Sequence, residues 1–150
     1  HTEETTALFY NNEQALRSVI KLAYFSYRDY YLKFEELPSG NGYADMVYFP
    51  KKMSNLPALV VEMKWDKSAE GAIAQIKKRN YPAAIKEFGG EILLVGINYD
   101  KKTKEHSCKI RSCSSASFIC SEIRSFASFL ISSFFAQTIS FCGTRFVSSE

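Results

Sequence analysis

The spacing of apolar positions changes along this chain, and each change marks an element. Leu16, Val19, Ile20, Ala23, Tyr24 and Tyr27 recur every three to four residues, which predicts a helix capped by Asn11 or Asn12. Over residues 29–37 the period drops to two, with Tyr30, Leu32 and Phe34 on one face and Tyr31, Lys33 and Glu35 on the other. Residues 38–42 have the composition of a turn, and an aromatic-rich strand follows over 42–49. Residues 59–63 are apolar without alternation except at Glu62, the pattern of a strand buried on both faces. Three strands in succession after a helix imply an antiparallel meander.

Asp66 or Ser68 can cap a second helix whose inward stripe is Ala69, Ala72, Ile73 and Ile76. Pro82 disfavours helix at Tyr81; the helix can resume to Phe88, and Gly89 and Gly90 end it. Residues 92–97 form another apolar strand. Because a helical crossover leads to it, it should run parallel to the Glu62 strand through a right-handed connection. Residues 98–104 read as a charged turn and 106–111 as a short last strand.

From residue 112 the text changes to serine and phenylalanine, with little charge beyond Glu122, Arg124 and Arg145. Ile119, Ile123, Phe126, Leu130 and Phe134 keep helical spacing, so one amphipathic helix is expected there. Glu122 and Arg124 interrupt any membrane span. The division expected is therefore a domain over 1–111 and an atypical tail over 112–150, one helix or out-of-frame sequence. The chain opens on His rather than Met, which suggests a piece of a longer protein.

Composition adds few constraints. At 150 residues one domain with a real core is expected, and a net charge of +3 permits a nucleic-acid partner without requiring one. Basic residues cluster at Lys77, Lys78 and Arg79 and again around Lys101, Lys102 and Lys104. Cys108, Cys113, Cys120 and Cys142 show neither zinc-ligand nor disulfide-framework spacing, so reduced thiols in a cytoplasmic protein are the default. His1 and His106 are too few for a His-rich metal site.

Chemistry enters with Glu62 and Lys64. Alternation puts both on one face of a buried strand, where isolated charges are expensive. Asp45 lies in the preceding strand; if the two strands pair, Asp45 and Glu62 converge with Lys64 beside them. Such a group is either a structural ion pair or a site for a cation and a water. Glu13 opens the first helix near its buried stripe, and Gln75 lies beside the stripe of the second.

These residues, in order, resemble a known pattern. Glu13, then Gly42-Tyr43-Ala44-Asp45, then Val61-Glu62-Met63-Lys64-Trp65, then Ala74-Gln75-Ile76-Lys77 through Tyr81 is similar to the PD-(D/E)XK nuclease superfamily. Within it, the chain resembles the C-terminal nuclease-like domain of bacterial predicted AAA-ATPase proteins over about residues 7–111, where Glu36-Leu37-Pro38-Ser39-Gly40 also has a close counterpart. The resemblance implies an α/β restriction-endonuclease-like core of order α-β-β-β-α-β, with a mixed central sheet flanked by helices. It also implies Mg²⁺, with Mn²⁺ as a substitute, held by Asp45, Glu62 and the Met63 carbonyl. Lys64 would act on the attacking water, and Glu13 would act through a metal-bound water or as a further ligand. Gln75, Lys77 and Lys78 would contact the nucleic-acid backbone, and an AAA-type ATPase domain would be the partner in the full-length protein. Three readings compete: a metal-dependent nuclease acting on DNA more than RNA, a catalytically silent nucleic-acid-binding or regulatory domain, and a structural module with a buried Glu62–Lys64 pair.

Overall fold

The computed structural model describes residues 17, 21, 27–38, 43–51, 56–81, 85, 89–103, 105–113 and 145–148. Its strands are β1 (Tyr31–Pro38), β2 (Tyr43–Pro50), β3 (Ala58–Trp65), β4 (Ile92–Asp100), β5 (Glu105–Ser112) and β6 (Arg145–Ser148), with helix α1 (Ala69–Lys78) between β3 and β4. They form one six-stranded sheet in the order β1-β2-β3-β4-β5-β6. β1, β2 and β3 make the antiparallel meander, and β4–β5 is also antiparallel. β3 and β4 are parallel from Ala58↔Ile92 to Trp65↔Tyr99, as a helical crossover requires. This is the mixed α/β sheet expected, with the Glu62 and Ile92 strands at its centre.

The sheet buries both faces. On one, Met46, Val61, Met63, Val95 and Ile97 join Tyr31 and Tyr48 in a core. On the other, Val47, Val60 and Leu94 meet Ile73 and Ile76 of α1, with Tyr81 and Ile85 beyond the helix. This double burial explains the unbroken apolar runs of β3 and β4.

α1 begins at Ser68, whose hydroxyl accepts the Gly71 N–H at 3.0 Å. Asp66 takes a different role from capping: at φ 52° it turns the chain, and its carboxylate accepts the Lys101 N–H at 2.6 Å. The helix sits close to the sheet because Gly96 leaves space. A Cβ there would stand 2.3 Å from the Ala69 carbonyl oxygen and 3.0 Å from Ala72 Cβ.

Several sequence expectations are adjusted. β4 continues through Asn98, Tyr99 and Asp100, which were expected in a turn; that turn is confined to the next few residues, where Asp100 accepts from the Lys102 and Thr103 N–H groups. Tyr99 is drawn into the strand by ring contacts with Trp65 and His106, and Asn98 by accepting the Lys67 N–H. In β1 the more apolar face is the open one: Leu32 and Phe34 are exposed, whereas Tyr31 is buried. Register places Leu32 and Phe34 opposite Phe49 and Val47, but α1 packs chiefly over β3, β4 and β5. The pairing of β6 with Glu105–Cys108 was not anticipated from the tail. Most of the first helix, Glu13 included, and the expected helix around 119–134 lie outside the described residues. No helix among the described residues is long and apolar enough to cross a membrane.

Candidate active site

The ladder between β2 and β3 covers Met46–Tyr48 and stops, whereas β3 stays paired with β4 as far as Trp65. Asp45 and Glu62 therefore stand where β2 and β3 part. One step beyond the Met46↔Val61 pair, the register sets them opposite each other. There the Asp45 carboxylate takes over the hydrogen bonding of β3: its Oδ2 accepts the Met63 N–H at 2.8 Å. Its Oδ1 accepts from Arg17 at 2.7 Å, and Arg17 also reaches Glu36 at 3.1 Å.

Glu62 is buried, at 2 % exposure. Lys64, two residues along the same strand face, donates to its Oε1 at 3.0 Å, and the Gln75 side-chain amide donates to the same oxygen. Oε2 is buried and has no hydrogen-bond partner among the described residues. Burial pushes the Glu62 carboxyl up to about 7, and the negative charge of Asp45 pushes the same way; Lys64 and Arg79 pull it down without prevailing. The Asp45 charge is thus close enough to act on Glu62.

α1 presents Gln75 toward β3, and Arg79, one turn later, acts on both carboxylates through its charge. Arg79 is steadied by donating to the Tyr81 hydroxyl at 2.8 Å. Lys77 and Lys78 are exposed in the last turn of α1. By helical spacing Lys78 lies on the Gln75 side, while Lys77 lies over Glu70, which pairs with Lys109 of β5 on the opposite flank.

Asp45, Glu62, Lys64 and Gln75 are therefore brought together, with the Met63 backbone between them. Lys77 is not in this group, and Glu13 lies outside the described residues. Sequence reasoning passed over Arg17 and gave Glu36 and Arg79 no role in the site. The signal for Arg17 was its place one turn after Glu13, and for Arg79 its place one turn after Gln75.

A divalent metal is compatible with these donors. Mg²⁺ seeks hard oxygens, and a buried carboxylate oxygen without a donor, beside a second carboxylate, offers them. Among the described residues no cluster of three or more His, Cys, Asp or Glu side chains forms, so any third acidic ligand would come from elsewhere.

Searches against curated proteins and against solved structures returned no match. A family model described as the PD-(D/E)XK nuclease superfamily matches residues 11–108. That span contains Asp45, Glu62, Lys64 and Gln75 together with β1 to β4, and on this match the chain belongs to the PD-(D/E)XK nuclease superfamily.

Proposed function

We propose that this protein hydrolyses phosphodiester bonds of nucleic acid, DNA in preference to RNA, with the help of a divalent metal. The observation that carries the reading is the buried Glu62 carboxylate set opposite Asp45, with its Oε2 unpartnered among the described residues and Lys64 at 3.0 Å from Oε1.

Asp45 and Glu62, with the Met63 carbonyl, are the residues that would hold Mg²⁺ or Mn²⁺. The ion, when bound, would neutralise charge at the scissile phosphate and acidify the attacking water. Lys64 orients that water and offsets the negative charge that develops on the phosphate. Gln75 fixes the Glu62 carboxylate by donating to Oε1. Glu13 is proposed as an additional acidic group from the first helix. Lys78, and more distantly Lys77, contact backbone phosphates rather than bases. A cytoplasmic setting and an attached AAA-type ATPase domain belong to the same proposal.

A silent nucleic-acid-binding domain is the second reading. It is favoured by the ion pairs already present, Arg17 on Asp45 and Lys64 on Glu62. The deciding experiment incubates the protein with linear, supercoiled and single-stranded DNA and with RNA in Mg²⁺, beside Asp45→Ala and Lys64→Ala. Cleavage lost in both variants supports the nuclease. Binding without cleavage of any substrate supports the silent domain.

A further inference from the structure

Arg17 divides its guanidinium between two carboxylates. One nitrogen donates to Asp45 Oδ1 at 2.7 Å and the other to Glu36 Oε1 at 3.1 Å. An arginine fork usually grips one carboxylate with two parallel bonds. Here each bond can break without the other. The two ends also differ in surroundings: the Asp45 and Arg17 side chains are 13 % and 14 % exposed, whereas that of Glu36 is 70 % exposed. Arg17 Nε is buried with no acceptor among the described residues, so the guanidinium is incompletely satisfied where it sits. Glu36 itself stands at φ 52°, a left-handed conformation that a glutamate in a strand adopts only when its surroundings impose it.

We propose that Arg17 is an internal counter-cation competing with a divalent metal for Asp45, and that Glu36 retains the guanidinium when it yields. This rests on the reading of Asp45 and Glu62 as metal-holding residues. Without metal, Arg17 neutralises a carboxylate that would otherwise face Glu62 across the gap between β2 and β3. A dication on Asp45 would meet a guanidinium already in contact with that carboxylate, and repulsion at this range in a partly dry site is strong. Asp45 cannot turn away, because Oδ2 is committed to the Met63 N–H. Arg17 is the group that can move, toward the solvated carboxylate it already touches.

The test is calorimetric titration of Mn²⁺ into the full chain, with thermal melts in parallel. Arg17→Ala should bind Mn²⁺ about tenfold tighter than the parent, melt lower without metal, and gain more from it. Glu36→Gln should bind several-fold more weakly, since the displaced guanidinium has nowhere charged to go. The double variant should match Arg17→Ala alone, because Glu36 acts only through Arg17. If Arg17→Ala does not fold, Arg17→Lys is read in its place. A single ammonium cannot span both carboxylates, so tighter binding than the parent is still expected. Equal or weaker binding by the Arg17 variants overturns the inference while leaving the metal site intact, provided Asp45→Asn abolishes binding in the parent. If the parent and Asp45→Asn bind alike, the carboxylate site itself fails, and this inference with it.

Discussion

The Met63 N–H donates to Oδ2 of Asp45 at 2.8 Å, so a β2 side chain serves the β3 backbone where their ladder has ended. Asp45 is thus both a candidate ligand and a piece of the sheet, and two substitutions separate these duties. Asp45→Asn keeps an acceptor for Met63 while removing the charge that Arg17 pairs with, and should cost less stability than Asp45→Ala, yet lose metal binding and cleavage. Asp45→Ala leaves a part-buried N–H unpaired as well and should lose about 1–3 kcal/mol. Urea unfolding with Mn²⁺ titration measures both. Equal destabilisation by the two would remove the structural role.

Lys64→Ala should abolish cleavage while Mn²⁺ affinity stays the same or rises, because a positive charge leaves the immediate vicinity of Glu62. Single-turnover cleavage and calorimetry on one preparation decide this. A variant that loses metal and activity together would show that Lys64 organises the carboxylates rather than the water.

Gly96→Ala should destabilise the protein by about 3 kcal/mol, since the new methyl meets the Ala69 carbonyl and Ala72 and can be admitted only by lifting α1. The same displacement draws Gln75 away from Glu62. Cleavage should therefore fall even at temperatures where the variant remains folded. Full activity in a folded Gly96→Ala protein would show that the close approach of α1 is dispensable.

Glu62 and His106 set opposing pH dependences. Burial raises Glu62 from 4.5 to about 7, so its contribution to stability is complete below 4.5 and is lost as pH rises through about 7. Burial lowers His106 from 6.5 to about 4, so its contribution is complete above 6.5 and is lost as pH falls toward 4. Each is worth about 3 kcal/mol over its window, and the windows overlap. Metal-free protein should therefore show nearly level stability between pH 4.5 and 6.5. Glu62→Gln removes one slope and should gain stability steadily as pH rises through that interval. Chemical denaturation at a series of pH values checks it; parallel profiles for parent and variant would refute the assignment.

The sequence made the centre of the sheet legible and the periphery much less so. β3 and β4 are long apolar runs joined by an amphipathic helix, and handedness and length leave such a unit few arrangements. Asp45, Glu62 and Lys64 were conspicuous because charges in apolar strands are costly. Arg17 was hidden because an arginine at the margin of a helical stripe looks like any solvated residue until its partners are known. The buried face of β1 was not legible for a related reason: alternation reveals that two faces differ but not which one a helix elsewhere in the chain covers. Asn98 and Tyr99 looked like turn residues by composition, and long-range contacts with Lys67, Trp65 and His106 overrode that.

The distances along the chain between the partners of Asp45 also order events in time. Asp45 and Glu62 meet through a local antiparallel connection, whereas Arg17 reaches Asp45 from 28 residues away. Local contacts close sooner than distant ones. A buried acid and a part-buried one are therefore brought face to face in a chain that has not yet assembled all the groups opposing their repulsion. That makes the late steps of folding sensitive to acidity and to divalent cations. Refolding should be faster at pH 5 than at pH 8, with substitutions in β3 felt in the refolding rate and those at Arg17 felt mainly in the rate of unfolding.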